Sequence, residues 1–315
     1  MRVNKESYTS ASSFPSKLLH INPIEDKKIK PIHAQLILTN ACNLNCSFCS
    51  CSDRDKKKKL TLKQIKNIID ILVENGCKAI TITGGGEPLM YYEINEVISY
   101  ASNKLKVGLV TNGILLKRLK YHNNLTWCRI SSSDDRTPAY ENIEYAIKIN
   151  PKTDWAFSHV VTKNPNYEII KGMIEFANRN NFTHIRLVSD LLDLNNVPDL
   201  DIIKKYLMEK NVNDNLVIYQ GRKDSTIGTK NCYISLLKPV ICPEGIFACC
   251  GIQYAIHGQK HDMIDSMKMG KVKDLNKILT KQECFDGSKC NNCYYQEYNN
   301  ALTKLLIKPD HMEFV

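Results

Sequence analysis

The chain has 315 residues, 43% of them hydrophobic, enough for one large domain or for a barrel with a small appendage. No apolar run reaches the roughly 18–20 residues that span a bilayer, and the N-terminal stretch lacks the apolar core of a signal peptide, so a cytoplasmic location without membrane attachment is expected. The formal charge of +10 comes from one short run, Lys56 to Lys59, and from lysines scattered over helix patterns. It reads as a solvated surface, with a basic patch for an acidic partner as the alternative, and nucleic acid is not the expected partner.

The first 33 residues read as a loosely ordered arm. From residue 35 to 190, strand and helix patterns alternate. The strands are expected at 35–39, 79–83, 107–111, 127–131, 155–161 and 184–188. Between them the clearest helix runs from Thr61 to Asn75, with Leu62, Ile65, Ile68, Ile69, Leu72 and Val73 on one face, a Thr61–Gln64 capping box at its start and Gly76 at its stop. Residues 93–102, 139–149 and 167–178 behave similarly. Six βα units in series imply parallel strands with right-handed crossovers. The expected fold class is therefore α/β, a partial (β/α)6 TIM-like barrel over 34–210, with chemistry at the C-terminal ends of the strands. Residues 211–231 read as an irregular connection, and 232–315 as a small cysteine-rich domain with a tail.

Thirteen cysteines in a reducing compartment argue against a disulfide framework. Cys77 and Cys128 lie in apolar surroundings and read as core residues. The others cluster at 42–51 and 232–293, which suggests two metal sites. In LTNACNLNCSFCSC, directly after the first strand, Cys42, Cys46 and Cys49 offer three soft thiolates from one tight loop. Three ligands on a four-iron cube leave one iron open for a small molecule; Cys51 reads as a bystander. The second strand ends in TITGGGEP, where Gly84, Gly85 and Gly86 permit close backbone approach and Glu87 adds an acceptor.

The Cys-x3-Cys-x2-Cys spacing, with the aromatic Phe48 before the third cysteine, resembles the signature of the radical S-adenosylmethionine (SAM) superfamily. The resemblance implies that Cys42, Cys46 and Cys49 ligate a [4Fe–4S] cluster whose open iron chelates SAM. An electron from the cluster then cleaves the sulfonium to a 5′-deoxyadenosyl radical, which abstracts hydrogen from substrate. GGGEP is similar to the family's SAM amino-group motif, which implies contacts from Gly84, Gly85, Gly86 and Glu87. In similar enzymes the fourth strand end meets the SAM ribose and carboxylate, which points to Ser132 or Ser133. Weaker candidates are Thr111-Asn112-Gly113 at the third strand end, and His159 and Arg186 inside strands whose alternate residues face the barrel interior.

Cys290-Asn-Asn-Cys293 is a metal hairpin that suits zinc or iron–sulfur. The run from Cys232 through Gly245 to Cys250 is similar to the opening of the SPASM and Twitch extensions of radical SAM barrels. Seven C-terminal cysteines cannot fill two four-thiolate clusters, so one auxiliary [4Fe–4S] cluster is expected. Its ligands are taken as Cys232, Cys250, Cys290 and Cys293, with Cys249 competing with Cys250, and with Cys242 and Cys284 unassigned. The resemblance implies an oxidoreductase-like radical SAM enzyme served by a reducing donor such as flavodoxin or ferredoxin. Its substrate is either a small sugar- or nucleoside-like metabolite or a ribosomally made peptide. The contrasting reading is a zinc-stabilised binding protein without catalysis.

Overall fold

The computed structural model describes residues 14–307, except 27, 53, 121–123, 191, 194, 222–226, 250–266, 291, 292 and 294. Its barrel part runs β1 (His33–Ile37), α1 (Leu62–Glu74), β2 (Ala79–Thr83), α2 (Ile94–Ser102), β3 (Lys106–Thr111), β4 (Trp127–Ser133), α3 (Tyr140–Ile149), β5 (Asp154–Val161), α4 (Tyr167–Arg179), β6 (His184–Ser189), α5 (Leu200–Glu209) and β7 (Val217–Gln220). Neighbouring strands β1 to β7 all pair in parallel. The expected alternation therefore forms an open parallel sheet with its loops gathered at the strand C-termini. Among the described residues, only the three-residue turn Leu116–Arg118 stands between β3 and β4 where a crossover helix was expected.

Helix α1 is built as its pattern dictates. Gln64 N donates to Thr61 Oγ1 at 3.2 Å and Thr61 N to Gln64 Oε1 at 2.9 Å. Ile65, Ile68, Ile69 and Leu72 are fully buried, and Gly76 leaves the helix at φ +88°. The helix-facing side of the sheet is apolar. Phe157 on β5 stacks on Phe182 at 4.7 Å between ring centres and meets Phe176 of α4 edge-on at 6.1 Å.

Three sequence expectations are corrected. Residues 211–231 are not wholly an irregular connection, because Val217–Gln220 extends the sheet beside β6; its short, mixed sequence has no alternation to announce it. The arm is not loose from residue 14 onward: Phe14 is buried and stacks on Tyr298 at 4.2 Å, and Ile29 is 1% exposed. The first strand begins and ends two residues earlier than expected, because residues 38–40 leave the sheet. Leu60 N donates to Leu38 O at 2.9 Å, and Asn40 N to Lys58 O at 3.0 Å. Those bonds close the cysteine-bearing segment 41–57 into a loop on a short neck.

The C-terminal part comprises β8 (Asn231–Cys232), β9 (Val240–Cys242), β10 (Gly245–Phe247), β11 (Lys268–Gly270), α6 (Leu275–Lys281), β12 (Phe285–Asp286) and α7 (Gln296–Leu305). It does not stand apart from the barrel. Strand β9 pairs in parallel with β1, and β10 and β11 continue the same sheet outward, while β8 and β12 form a separate ribbon. Among the described residues no helix is long and apolar enough to cross a membrane.

Phe157→Ala is expected to cost about 3–5 kcal/mol, the usual range for a buried aromatic truncated to alanine. Chemical denaturation measures it; a loss under about 1 kcal/mol would show that the Phe157–Phe176–Phe182 cluster does not hold α4 on the sheet.

Candidate active site

The cysteine loop sits where β1 ends, and turns order it. Cys49 N donates to Cys46 O and Ser52 N to Cys49 O, both at 3.1 Å. Cys42, Cys46 and Cys49 are half-buried free thiols, and Phe48 is half-buried between the last two. Cys51 lies beneath the loop, buried, and shares a hydrogen bond with Cys49. That bond, ahead of the opposing effect of burial, draws the Cys51 thiol down to about 6, while the Cys49 thiol is pushed upward.

The glycine run packs against this loop. Gly86 N donates to Thr39 O at 3.1 Å and Glu87 N to Ala41 O at 2.8 Å. A Cβ on Gly86 would lie 1.9 Å from Ala41 O, and one on Gly85 would lie 1.7 Å from Arg54 Nη1. The glycines are therefore required by approach to the chain itself, whatever they also offer a ligand. Glu87 is 3% exposed and brackets β2 to β3: Oε1 accepts from Leu89 N at 3.0 Å and from Thr111 Oγ1 at 2.6 Å, and Oε2 from Asn112 N at 2.8 Å. Burial pushes its carboxyl up despite those donors.

At the end of β4, Ser132 and Ser133 are fully buried; Ser132 Oγ donates to Arg136 O at 3.5 Å and Ser133 Oγ bonds Asp135. Asp134 ties β4 to the segment after β5. Its carboxylate meets His159 Nε2 at 2.8 Å, and accepts from Thr162 N at 2.7 Å and Asn166 N at 3.1 Å. Burial pushes this carboxyl up, but the His159 and backbone donors outweigh it, so its net shift is downward. His159 is thus spent on the helix side of the sheet, the side Phe157 packs on, and does not face the interior as the sequence reading allowed. Arg186 does: it shares the register rows of Ser131 and Ser158 on the opposite face, and its Nε donates to Gln220 Oε1 at 3.0 Å. Arg129 and His184 occupy the adjoining row of the same face. Arg136, which the sequence reading missed, brings its Nη1 to 3.8 Å from Cys46 Sγ. Burial raises the Cys46 thiol, and the Arg136 charge opposes that rise.

A second thiol group lies in the extension. Cys232, Cys290 and Cys293 act on one another electrostatically, and burial ahead of that mutual repulsion raises Cys232 to about 11. Asn299 Nδ2 donates to Cys232 Sγ at 3.7 Å and Tyr295 N to Cys293 Sγ at 3.4 Å. A Cβ on Gly228 would lie 2.1 Å from Gly287 O, so these segments also meet through glycine. Cys250 lies outside the described residues. Cys242 is at the other end of the extension, in β9, where burial and then Glu244 raise it to about 12; Cys284 precedes β12, half-buried.

Residues 36–188 match the family model of the Radical SAM superfamily. This stretch is a radical SAM domain. Two curated relatives align with part of the chain. The antilisterial bacteriocin subtilosin biosynthesis protein AlbA of Bacillus subtilis is 36% identical over 90 residues, 28% of this chain and 20% of AlbA. A probable GTP 3′,8-cyclase of Methanococcus maripaludis is 35% identical over 100 residues, 30% of this chain and 33% of the cyclase. The chain thus spans a third or less of these relatives. The crystal structure of Streptococcus suis SuiB superposes with a TM-score of 0.59 over 86% of this chain and 72% of SuiB at 17% identity, a likeness of fold.

The radical SAM family uses a [4Fe–4S] cluster and SAM, and the donor set here fits them: three soft thiols on one loop at the sheet's C-terminal rim, with a cation against Cys46. Among the described residues no three cysteine, histidine or carboxylate side chains are gathered at metal-holding distance.

Gly86→Ala is expected to displace Ala41 and lower iron uptake at the adjoining cysteines; wild-type iron content would show that the glycine contact does not position the loop. Asp134 contributes stability that is full above its unfolded-state pKa and is lost as pH falls through the lower folded value. Asp134→Asn should therefore be less stable near neutral pH and lose less stability than wild type on acidification from roughly pH 5 to 2. Parallel acid limbs in denaturation curves would contradict this.

Proposed function

We propose that the protein reductively cleaves SAM and abstracts hydrogen from a small polar metabolite, sugar- or nucleoside-like, with one auxiliary [4Fe–4S] cluster in its extension. The observation that carries the reading is the meeting, at one rim of the radical SAM domain, of the three-thiol loop and the glycine turn locked against it. When bound, the first cluster supplies one electron to the sulfonium of SAM, yielding the 5′-deoxyadenosyl radical that takes the substrate hydrogen.

The chain's residues would do the rest. Cys42, Cys46 and Cys49 would hold the cluster. Phe48 and Gly84 to Gly86 would line the SAM side of the loop, with Glu87 fixing the turn and offering carboxylate oxygens towards the SAM amino group. The Asp134 bracket holds the β4 end; Ser133, on the interior face with Ser131, would meet the ribose and carboxylate, whereas Ser132 shares the row of His159 and faces the helices. Cys232, Cys290 and Cys293, with Cys250 as fourth, would enclose the auxiliary cluster. A site closed by four thiolates serves electron transfer and also holds the extension together. The division into arm, barrel, connection and auxiliary domain is proposed on this basis, with the connection now contributing β7 to the barrel sheet.

The interior face carries Arg129, Ser131, Ser158, His184 and Arg186, a polar lining that favours a polar small molecule. The likeness to a GTP 3′,8-cyclase agrees with a nucleotide-like substrate. A second reading, modification of a ribosomally made peptide, is favoured by the likeness to AlbA. The electron would come from a flavodoxin- or ferredoxin-class donor.

Anaerobic reconstitution with reductant and SAM, followed by mass analysis for 5′-deoxyadenosine, tests the proposal. Wild type is expected to produce it and Cys46→Ala to abolish it. Cys293→Ala is expected to lose about four irons per chain while retaining some uncoupled cleavage. Production undiminished in Cys46→Ala would refute the first site; full iron retention in Cys293→Ala would refute the second.

A further inference from the structure

Arg136 lies 90 residues beyond Cys46 in sequence, yet its guanidinium is fixed against that thiol. Nη1 stands 3.8 Å from Cys46 Sγ, and Nη2 donates to Ser131 O at 2.5 Å. The main chain behind it is equally constrained: Arg136 N donates to Ser133 O at 3.2 Å, the two residues form an antiparallel bridge, and Ser132 Oγ reaches Arg136 O. A long side chain held at both ends places its charge without further ordering cost. Among the described residues, two other charged groups enter this neighbourhood. Glu87 feels the Arg136 charge from the glycine turn, and Asp135 acts on Cys46 with the opposite sign.

We propose that Arg136 sets the reduction potential of the first cluster, by donating an N–H to the Cys46 sulfur and holding a cation beside it. The inference rests on the reading of Cys42, Cys46 and Cys49 as cluster ligands. Three thiolates on a [4Fe–4S]2+ core give a net charge of about −1, and one electron from a ferredoxin- or flavodoxin-class donor takes it to about −2 with no bond made or broken and no proton moved. Both an N–H···S bond and a neighbouring cation favour the more negative, reduced form. Arg136 itself neither gains nor loses an electron. It is a positioning and tuning residue; Asp135, of opposite sign on the same turn, counteracts it.

The test is an anaerobic redox titration of the reconstituted full chain without SAM, followed by electron paramagnetic resonance, taking as the first cluster's signal the one that Cys46→Ala removes. Arg136→Gln is expected to lower the reduced-to-oxidised ratio at fixed potential about tenfold, a midpoint about 59 mV lower for a one-electron couple. Asp135→Asn is expected to move the midpoint the other way, and it carries the test if Arg136→Gln fails to load iron. Midpoints unchanged in iron-loaded variants, or moved in the same direction by both, would overturn the proposal. So would a loss confined to SAM affinity, which would make Arg136 a ligand for SAM instead. Absence of any first-cluster signal in wild type is a different result, refuting the cluster site itself.

Discussion

Two backbone hydrogen bonds, from Gly86 N to Thr39 O and from Glu87 N to Ala41 O, bind the rim of β2 to the root of the cysteine loop. Each contributes only about 0.5–1.5 kcal/mol net. Their importance is geometric. They form only because three consecutive residues lack a Cβ, and they fix the residue immediately before Cys42. Together with the neck from Leu38 to Leu60, they hold a 17-residue excursion, 41–57, at one place on the rim. The Glu87 carboxylate carries the same constraint across to β3 through Thr111 and Asn112. Asp134 does the corresponding work between β4 and β5. The rim is thus a chain of buried polar brackets, each satisfied from a neighbouring strand end, on top of an apolar sheet and helix layer.

The extension depends on the same edge. Because β9 lies alongside β1, the turn that follows β9 reaches the root of the cysteine loop: Asn40 Nδ2 donates to Glu244 Oε1 at 2.6 Å and also to Asp55 O at 3.2 Å. Of the other thiols, Cys232 is in β8 and Cys290 and Cys293 follow β12; Asn299 of α7 donates through Nδ2 to Cys232 Sγ and accepts through Oδ1 from Ile234 N at 3.0 Å. The cysteine loop is thus tied to the extension through the β1–β9 edge, whereas Cys232 belongs to the separate β8–β12 ribbon; Cys242, buried in β9 beside Glu244, belongs to the edge more than to either thiol group.

Much of this was legible in the sequence because the signals were periodic or local. Helix α1 and strand β2 occur where the apolar period and capping residues put them, and the cysteine and glycine motifs fall at strand ends as βα order requires. What was not legible depends on the third dimension. Nothing local in RTPAY marks Arg136 as a neighbour of Cys46. Strand parity alone could not say which face of β5 carries His159; the aromatic packing of Phe157 decides it. Strand β7 is four residues long, and β9 three, too short for alternation to stand out, and their pairing with β6 and β1 is a long-range choice. The glycine run was read as room for a ligand, whereas its first demand is room for Ala41 and Arg54.

The proposed function requires a cluster that Cys42, Cys46 and Cys49 would leave incomplete, so that SAM could take the fourth iron. Mössbauer spectroscopy of protein reconstituted anaerobically with 57Fe, with and without SAM, examines that iron directly. A change in the isomer shift of a single iron site on adding SAM, absent when Cys42, Cys46 and Cys49 are replaced by alanine, is the predicted result. Spectra that do not respond to SAM, with every iron already in a four-sulfur-ligand environment, would contradict it.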